Sequence, residues 1–246
     1  MGLLDFIKPK SALEKAAAQV REPYAQPEYR RGAMDKLFEI GTDEAYRALL
    51  KRFTISAHGQ IADEAEKREL VDQLAGVGEP VLPALKEFVQ TEKKNISFPV
   101  RAVLKILGKE AGIEFLKATL QQYEPLDHRS VQAKTTLVIT LGELVDASEA
   151  GLFAPYLEDH DDDVQFQAVV ALERLANEEA AREPLVNVCT TDQHSARVKR
   201  RAAQALHELG WSVKDRYDAF DGELKDEFLL GKKGHLVKKQ APAEEA

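Results

Sequence analysis

The stretch that decides the fold runs from residue 161 to residue 176 and reads DDDVQFQAVVALERLA. Its apolar side chains recur at Val164, Ala168, Leu172 and Leu175, so they are spaced by four, four and three residues. With 3.6 residues per turn, side chains at this spacing share one face of an α-helix. The stretch therefore predicts an amphipathic helix that buries one stripe.

The same frame occurs six times along the chain. Each copy has a leucine, an aliphatic residue three positions later, and then glycine or another small or aliphatic residue. The first leucines are 30 to 37 residues apart and are Leu37, Leu74, Leu104, Leu141, Leu172 and Leu206. Eight residues before them, Glu66 is the only polar residue in an otherwise apolar set. Glycine follows in four copies and predicts a left-handed residue that ends the helix.

A second apolar stretch follows each helix end, such as Ala45, Leu49, Leu50 and Phe53 in the first copy. Three of these stretches have an early proline, which the first turn of a helix tolerates: Pro83, Pro155 and Pro184. Each unit is thus predicted to be a helix, a tight turn and a second helix. Six units over residues 26–230 would bury their apolar faces by stacking, which predicts an all-α solenoid. A globular bundle of unrelated hairpins is the alternative.

The repeats at residues 161–180 and 195–210 resemble HEAT repeats. They share a polar loop, a valine near the helix start, an alanine-rich first helix and a Leu-x-x-Leu ending, and Pro184-Leu185 fits the second helix of that family. The chain is most similar to the short HEAT-like repeats of bacterial proteins and phycobilisome-lyase relatives. This resemblance implies an all-α superhelix, with a concave face formed by the second helices, that binds other proteins without catalysis.

The composition limits the class of protein. Of 246 residues, 44% are hydrophobic and 31% are charged, which is typical of a globular domain in water. No run of about 18 apolar residues exists, so no membrane span is predicted. The single cysteine, Cys189, suits a reducing compartment, and the start lacks a secretory signal pattern. A cytoplasmic location in a bacterial cell is therefore expected.

The two ends differ from the repeats. Residues 1–25 are predicted to form an N-terminal cap, with a helix from Ala12 to Val20. Residues 231–246 are predicted to be a flexible charged tail. The lysines of this tail are Lys232, Lys233, Lys238 and Lys239.

Three histidines fall at, or within one residue of, the same repeat position: His128, His160 and His194. Each lies near an aspartate in a predicted loop, so one interpretation is a row of histidine and aspartate side chains that binds metal. Neighbouring helical layers are about 8–10 Å apart, too far to share one zinc ion easily, so solvated loop residues are favoured. No catalytic, cofactor or phosphate-loop motif is present, and Cys189 is expected to be a packed core thiol.

One cluster of charge stands out at the sixth repeat. Arg197, Lys199, Arg200 and Arg201 occupy the first turn of its first helix, where cations oppose the helix dipole. The acidic loop one repeat earlier contains Asp161, Asp162 and Asp163. These two groups predict an inter-repeat ladder of ion pairs. The other interpretation is that the basic turn binds an anionic partner or phosphate at the helix N-terminus.

The sequence favours a non-catalytic scaffold, without a cofactor, that binds another protein or a peptide segment. Charged residues of the second helices are candidates by position: Arg47, Lys51, Lys86, Glu87, Glu114 and Lys117. One alternative is a nucleic-acid-associated protein that uses the basic turn and the lysine tail, although a net charge of −8 argues against wholesale wrapping. The other is a lyase-like accessory protein acting on a cofactor-bearing partner, which rests on fold analogy alone. The oligomeric state is left open.

Overall fold

The computed structural model describes residues 10–239, and this part of the chain is helical except for one short β-hairpin. The chain divides into two compact units, one ending at Phe115 and the other beginning at Leu116. The predicted repeat region, residues 26–230, is therefore shared between two units. No helix of the described residues is long and apolar enough to cross a membrane.

The first unit consists of helical hairpins. Its helices are α1 (Ala12–Val20), α2 (Pro27–Ile40), α3 (Asp43–Leu50), α4 (Gln60–Val77), α5 (Leu82–Thr91) and α6 (Ser97–Leu107), with 3-10 turns at Lys51–Thr54 and Glu79–Val81. Helix α7 (Lys109–Leu120) runs across the boundary. Helix α1 packs on α2 and α3, α3 packs on α5, and α4 packs on α6. In this unit the first helices α4 and α6 thus pack on each other, as do the second helices α3 and α5.

The second unit continues with the same kind of element. Its helices are α8 (Val131–Leu144), α9 (Asp162–Leu175), α10 (Glu178–Thr190), α11 (Ala196–Leu209) and α12 (Gly222–Glu227). Further 3-10 helices span His128–Ser130, Ala147–Leu152, Ala154–Glu158 and Tyr217–Ala219. Helix α9 packs between α8 and α11, and α10 packs on α11.

The six predicted first helices are confirmed. Each of the six leucine motifs lies near the C-terminal end of a helix, namely α2, α4, α6, α8, α9 and α11. The four glycines that follow have positive φ angles, and Gly41 and Gly210 are left-handed C-caps. In the fifth copy Ala176 takes the left-handed conformation itself, at a φ of 50°.

The second helices match the prediction only in part. Helices α3, α5, α7 and α10 form, but the fourth copy has two 3-10 helices, where Gly151 and Pro155 both disfavour a continuous α-helix. Pro184 was predicted to lie early in its helix, and this is wrong, because it lies inside α10. Because proline has no N–H, the carbonyl of Ala180 receives no helical hydrogen bond from it.

The two ends also have defined structure. Helix α1 has the predicted bounds and begins with a capping box, in which Ser11 and Glu14 bond each other's backbone N–H. The sixth copy has no long second helix; α12 is followed by β1 (Phe228–Leu230) and β2 (Leu236–Lys238), which pair antiparallel. Leu236 is fully buried in this hairpin. The prediction of a flexible tail is therefore wrong for residues 231–239. Residues 1–9 and 240–246 lie outside the described part.

Candidate interaction surfaces

A groove of about 420 Å³ lies between α4 and α6 in the first unit. Its lining comes from Arg68, Val71 and Asp72 on α4, and from Phe98, Arg101, Leu104 and Lys105 on α6. Val71 and Asp72 follow Arg68 by three and four residues, and Arg101 and Lys105 follow Phe98 by three and seven, so each set shares one helix face. The groove follows directly from the packing of two first helices.

The floor of this groove is apolar and firmly supported. Val71 is buried, and the ring of Phe98 stacks on Phe53 with 6.0 Å between ring centroids. Leu104 completes the floor. Gly112 lies close against Leu104: a Cβ atom added at Gly112 would come within 2.6 Å of the Leu104 Cδ2 atom. The floor is therefore shaped before any partner arrives.

The rim of the groove is cationic. Lys105 pairs with Asp72 across the groove, and Arg68 lies 3.7 Å from Glu64 on its own helix. The Arg101 guanidinium stands over the Phe98 ring at 5.4 Å from its centroid. Within residues 10–239, no carboxylate lies at ion-pair distance from Arg101. The rim thus carries one cation, Arg101, that no carboxylate of the described part of the chain neutralises.

The second-helix candidates lie on their helices as expected, and several of them already have partners within the chain. Arg47 pairs with Asp43 at 2.7 Å and also with Glu87, and Lys51 pairs with Glu92 at 2.6 Å. These α3 and α5 residues line a smaller groove of about 180 Å³. Lys86 stands over the Phe115 ring at 5.5 Å, Lys117 pairs with Glu149 at 2.9 Å, and Glu114 lies in α7.

The basic turn of α11 is neutralised by carboxylates. Arg197 binds Asp163 at 2.6 Å, which confirms the predicted ladder at this position, and it also stacks on Phe166 at 4.5 Å. The other three cations do not reach the acidic loop. Their partners are Asp221 at 2.8 Å for Lys199, Glu227 at 2.6 Å for Arg200, and Glu173 at 3.0 Å for Arg201. The hydrogen bond from Lys199 lowers the pKa of Asp221.

The acidic loop mainly serves its own helix. The side chain of Asp161 accepts hydrogen bonds from the backbone N–H groups of Asp163 and Val164, at 3.0 and 3.4 Å, and caps α9. Asp162 and Asp163 occupy the first turn of α9, where negative charge is favourable. Only Asp163 of these three pairs with the basic turn.

The three histidines belong to a polar region around a buried ion pair. Lys134 and Asp159 are both inaccessible to solvent and bind each other. The ring of His160 lies beside that of His128, with 3.6 Å between centroids, while His194 Nδ1 lies 3.1 Å from Gln165 Oε1. Burial lowers the pKa of His194 and favours its neutral form. Among the described residues, no group of three or more His, Cys, Asp or Glu side chains is arranged to hold a metal ion.

A second buried network was missed by the sequence analysis. Glu66 accepts hydrogen bonds from Arg30 at 3.0 and 3.1 Å and from Arg52, while Asp63 binds Arg52 at 2.5 Å and Lys67 at 2.7 Å. All five side chains are at least nine-tenths buried. The signal was present, because Glu66 was the one polar residue in the apolar stripe.

Electrostatics in this network favour the ionised carboxylates. Burial by itself raises the pKa of Asp63, but hydrogen bonds from Lys67, Arg52 and the Ala57 N–H outweigh it and leave that pKa below its usual value. The pKa of Glu66 is lowered in the same way, with burial opposed by Arg30 and Arg52. The network joins α2, α4 and the 3-10 turn after α3, so it holds the first two hairpins together.

Cys189 is confirmed as a core thiol. It is fully buried in α10, and burial strongly raises its pKa. A nucleophilic cysteine needs the opposite environment, since the reactive species is the thiolate.

Comparison with models of protein families, with curated protein sequences and with solved structures gives no match. The resemblance to HEAT repeats therefore stays a prediction from the residue pattern.

Proposed function

We propose that this chain is a non-catalytic protein-binding module whose helical hairpins are HEAT-like repeats of an α-solenoid. The six leucine motifs in six first helices support the repeat interpretation, together with the packing of first helices on one another, α4 on α6 in the first unit and α9 on α8 and α11 in the second. The single buried cysteine supports the proposal of a reducing, cytoplasmic environment.

The observation that carries the binding proposal is the α4–α6 groove. It presents apolar side chains to solvent between exposed cations, and concave sites with an apolar floor and a few charged groups are typical of binding sites. Its floor is supported by Phe53 and by the packing of α6 against α7 near Gly112. Because these side chains are already ordered, little conformational entropy is lost on binding.

The contacts of the basic turn favour a protein partner over nucleic acid. Arg197, Arg200, Arg201 and Lys199 each have a carboxylate partner within the second unit. A phosphate group would have to displace these carboxylates, and the net charge of the whole chain is −8. Counterion release, which drives most nucleic-acid binding, is reduced where the cations already have partners.

Site-specific photo-crosslinking in the source cell tests this function. A crosslinking amino acid would replace one exposed residue at each candidate surface: Ile61 on α4, Thr91 on α5 and Asp192 before α11. Glu179 at the start of α10 is the control position. We expect a discrete protein adduct, resistant to nuclease, from at least one candidate position and not from Glu179. Adducts to nucleic acid alone, or no adduct at any position, would contradict the proposal.

A further inference from the structure

The α4–α6 groove has a charge balance unlike that of the chain as a whole. The chain carries a net charge of −8, yet the groove lining holds three cations, Arg68, Arg101 and Lys105, against one carboxylate, Asp72. Asp72 is taken by Lys105, and Arg68 lies 3.7 Å from Glu64 on its own helix, so Arg101 is the lining cation with which no carboxylate of the described residues pairs. An occupant of complementary charge must therefore be acidic.

The floor sets a second requirement. Val71, Leu104 and the Phe98 ring are apolar, and a volume of about 420 Å³ falls within the range of about 300–1,000 Å³ typical of ligand pockets. Burying apolar surface contributes about 25 cal/mol per Å² of area removed from water, so the floor favours an apolar side chain over a charged group. The occupant therefore combines negative charge with at least one large apolar side chain.

The surface is longer than the groove itself. Ile61 is 85% exposed and stands seven and eleven residues before Arg68 and Asp72, which places all three on one face of α4. At 1.5 Å per residue this face extends about 16 Å along the helix. A surface of that length, with an exposed isoleucine at one end and cations at the other, fits a peptide segment better than a small anion.

A nucleic-acid strand fits these features less well. Its phosphates would pass the Asp72 carboxylate, and successive bases stack on several aromatic platforms, of which this groove offers one, the Phe98 ring. An exposed aliphatic residue such as Ile61 gains nothing from a phosphate backbone.

We propose that the α4–α6 groove binds an acidic amphipathic segment of a partner protein, with one large apolar side chain on the Val71–Phe98–Leu104 floor and carboxylates at Arg68 and Arg101. This inference rests on the proposed function as a protein-binding module and names the chemistry of the partner. Arg101 provides the main specificity, because its guanidinium is open to a bidentate carboxylate contact.

Selection from a displayed library of random 12-residue peptides tests the proposal. The full-length protein is compared with the Arg68→Glu/Arg101→Glu double variant, and Arg129→Glu is the matched control because Arg129 is exposed in the second unit. We expect the natural protein and the control to enrich peptides with Asp or Glu around Leu, Ile, Met, Phe or Trp. The double variant should lose these peptides.

Binding is then measured by fluorescence anisotropy with the most enriched peptide, made synthetically. We expect at least about tenfold weaker binding to the double variant, an unchanged Kd for Arg129→Glu, and weaker binding when the apolar residue of the peptide is replaced by serine. Circular dichroism melts of the variants are the check that each of them folds.

Three outcomes would overturn the inference: enrichment of basic peptides, equal binding by the double variant, or competition by a 12-nucleotide single strand as strong as that by the acidic peptide. Protein crosslinks from Thr91 or Asp192 but not from Ile61 would also contradict the groove proposal, although they would still support a protein-binding function. If no position crosslinks to a protein, the function itself fails.

Discussion

Glu66 shows how a single buried residue can organise its surroundings. It lies at a position that is apolar in the other five repeats, and it is buried between Arg30 and Arg52. Burying an ionised side chain costs several kcal/mol in lost hydration. Oppositely charged groups offset this cost only when their hydrogen bonds to it have good geometry. Here Glu66 is held by two guanidinium groups and Asp63 by three donors.

Replacing Glu66 by glutamine is expected to destabilise the first unit. Two buried arginines would lose a negative partner, and breaking a buried ion pair costs about 3–5 kcal/mol. Urea unfolding followed by circular dichroism measures the free energy of unfolding. Glu69→Gln is the matched control, because Glu69 pairs with Arg31 at the surface and is expected to cost less than about 1 kcal/mol. Similar losses in the two variants would contradict the buried network.

The same network predicts a specific loss of stability in acid. The pKa values of Asp63 and Glu66 are lowered in the folded state, so the unfolded chain takes up protons first as the pH falls below about 4–5. Their contribution is fully present at neutral pH and is lost as the pH falls toward their folded pKa values. Urea titrations at a series of pH values should show a shallower acid loss for Glu66→Gln than for the natural protein.

Two comparisons keep this pH prediction specific. His194, whose pKa is lowered by burial, adds a fall in stability nearer pH 6.5, but it does so equally in both proteins. Glu69→Gln should keep the natural acid profile. A Glu66→Gln profile parallel to that of the natural protein down to pH 3 would show that Glu66 does not hold a lowered pKa.

At the scale of elements, α8 and α9 approach closely because of one glycine. A Cβ atom at Gly142 would lie 2.9 Å from the Cβ of Ala171, closer than real Cβ atoms approach. Arg174 of α9 also donates a hydrogen bond to the Gly142 carbonyl. The small residue at this position therefore sets the distance between two stacked first helices.

Gly142→Ala is expected to destabilise the second unit by about 1–3 kcal/mol, the usual cost of overpacking, despite the better helix propensity of alanine. Gly32→Ala is the control, because Gly32 lies in α2 with nothing near its Cβ direction, and it should stabilise by up to about 1 kcal/mol. Adding Ala171→Gly should recover part of the loss. Thermal melts of the three variants measure these changes, and equal melting temperatures would refute the close contact.

The C-terminal hairpin closes the end of the second unit. Phe228 and Leu236 are buried, the Leu236 carbonyl lies 2.7 Å from His207 Nδ1 on α11, and Gly234 accepts a hydrogen bond from the Val213 N–H. In the sixth copy these two short strands lie against α11 in place of a long second helix.

Leu236→Ala is therefore expected to cost about 2–5 kcal/mol, as for other buried leucines. The only tryptophan, Trp211, is next to the strand contact at Ser212 and reports unfolding of this unit by fluorescence. Val237→Ala is the control, because Val237 is exposed on the other face of the same strand and should change stability little. A negligible effect of Leu236→Ala would restore the flexible-tail interpretation.

At the scale of the whole molecule, many ion pairs of the described residues link one helical hairpin to the next. Ion pairs join neighbouring hairpins along both the first and the second helices, for example Arg31–Glu69, Lys51–Glu92 and Arg201–Glu173. Individually such surface pairs contribute little to stability. Collectively they balance the charge of the α3–α5 groove, whose Arg47 and Lys51 face Glu87 and Glu92, whereas the lining of the α4–α6 groove holds more cations than carboxylates.

The natural protein is expected to bind nucleic acid weakly at physiological salt, because its net charge is −8 and the cations of the basic turn are paired. Releasing two of these cations should strengthen binding and steepen its salt dependence, so Glu173→Gln/Glu227→Gln is the informative variant. Glu143→Gln/Glu179→Gln, with the same change in net charge, is the control. Filter binding of a labelled oligonucleotide at several salt concentrations measures both effects, and tight binding by the natural protein would contradict this prediction.

The sequence by itself determined the helical repeat. The 3.6-residue periodicity and the glycine stops are local properties of the chain, so all six first helices and α1 could be located from them. The sequence also pointed to Glu66 as an exception without revealing its partners. The pairing of Arg197 with Asp163 was predictable, because the fifth and sixth leucine motifs are 34 residues apart, which brings residues at that spacing into register.

Only the tertiary structure decided which charges are paired and where a groove remains. Lys199, Arg200 and Arg201 find carboxylates on α9, α12 and the segment before α12, which no repeat register predicts. Likewise, Phe98 and Arg101 become a candidate site only because α4 packs beside α6 and Asp72 is taken by Lys105. Periodicity determines which face of a helix is buried. Neutralisation of a surface charge depends instead on side chains that lie far apart in the chain and meet only when the helices pack.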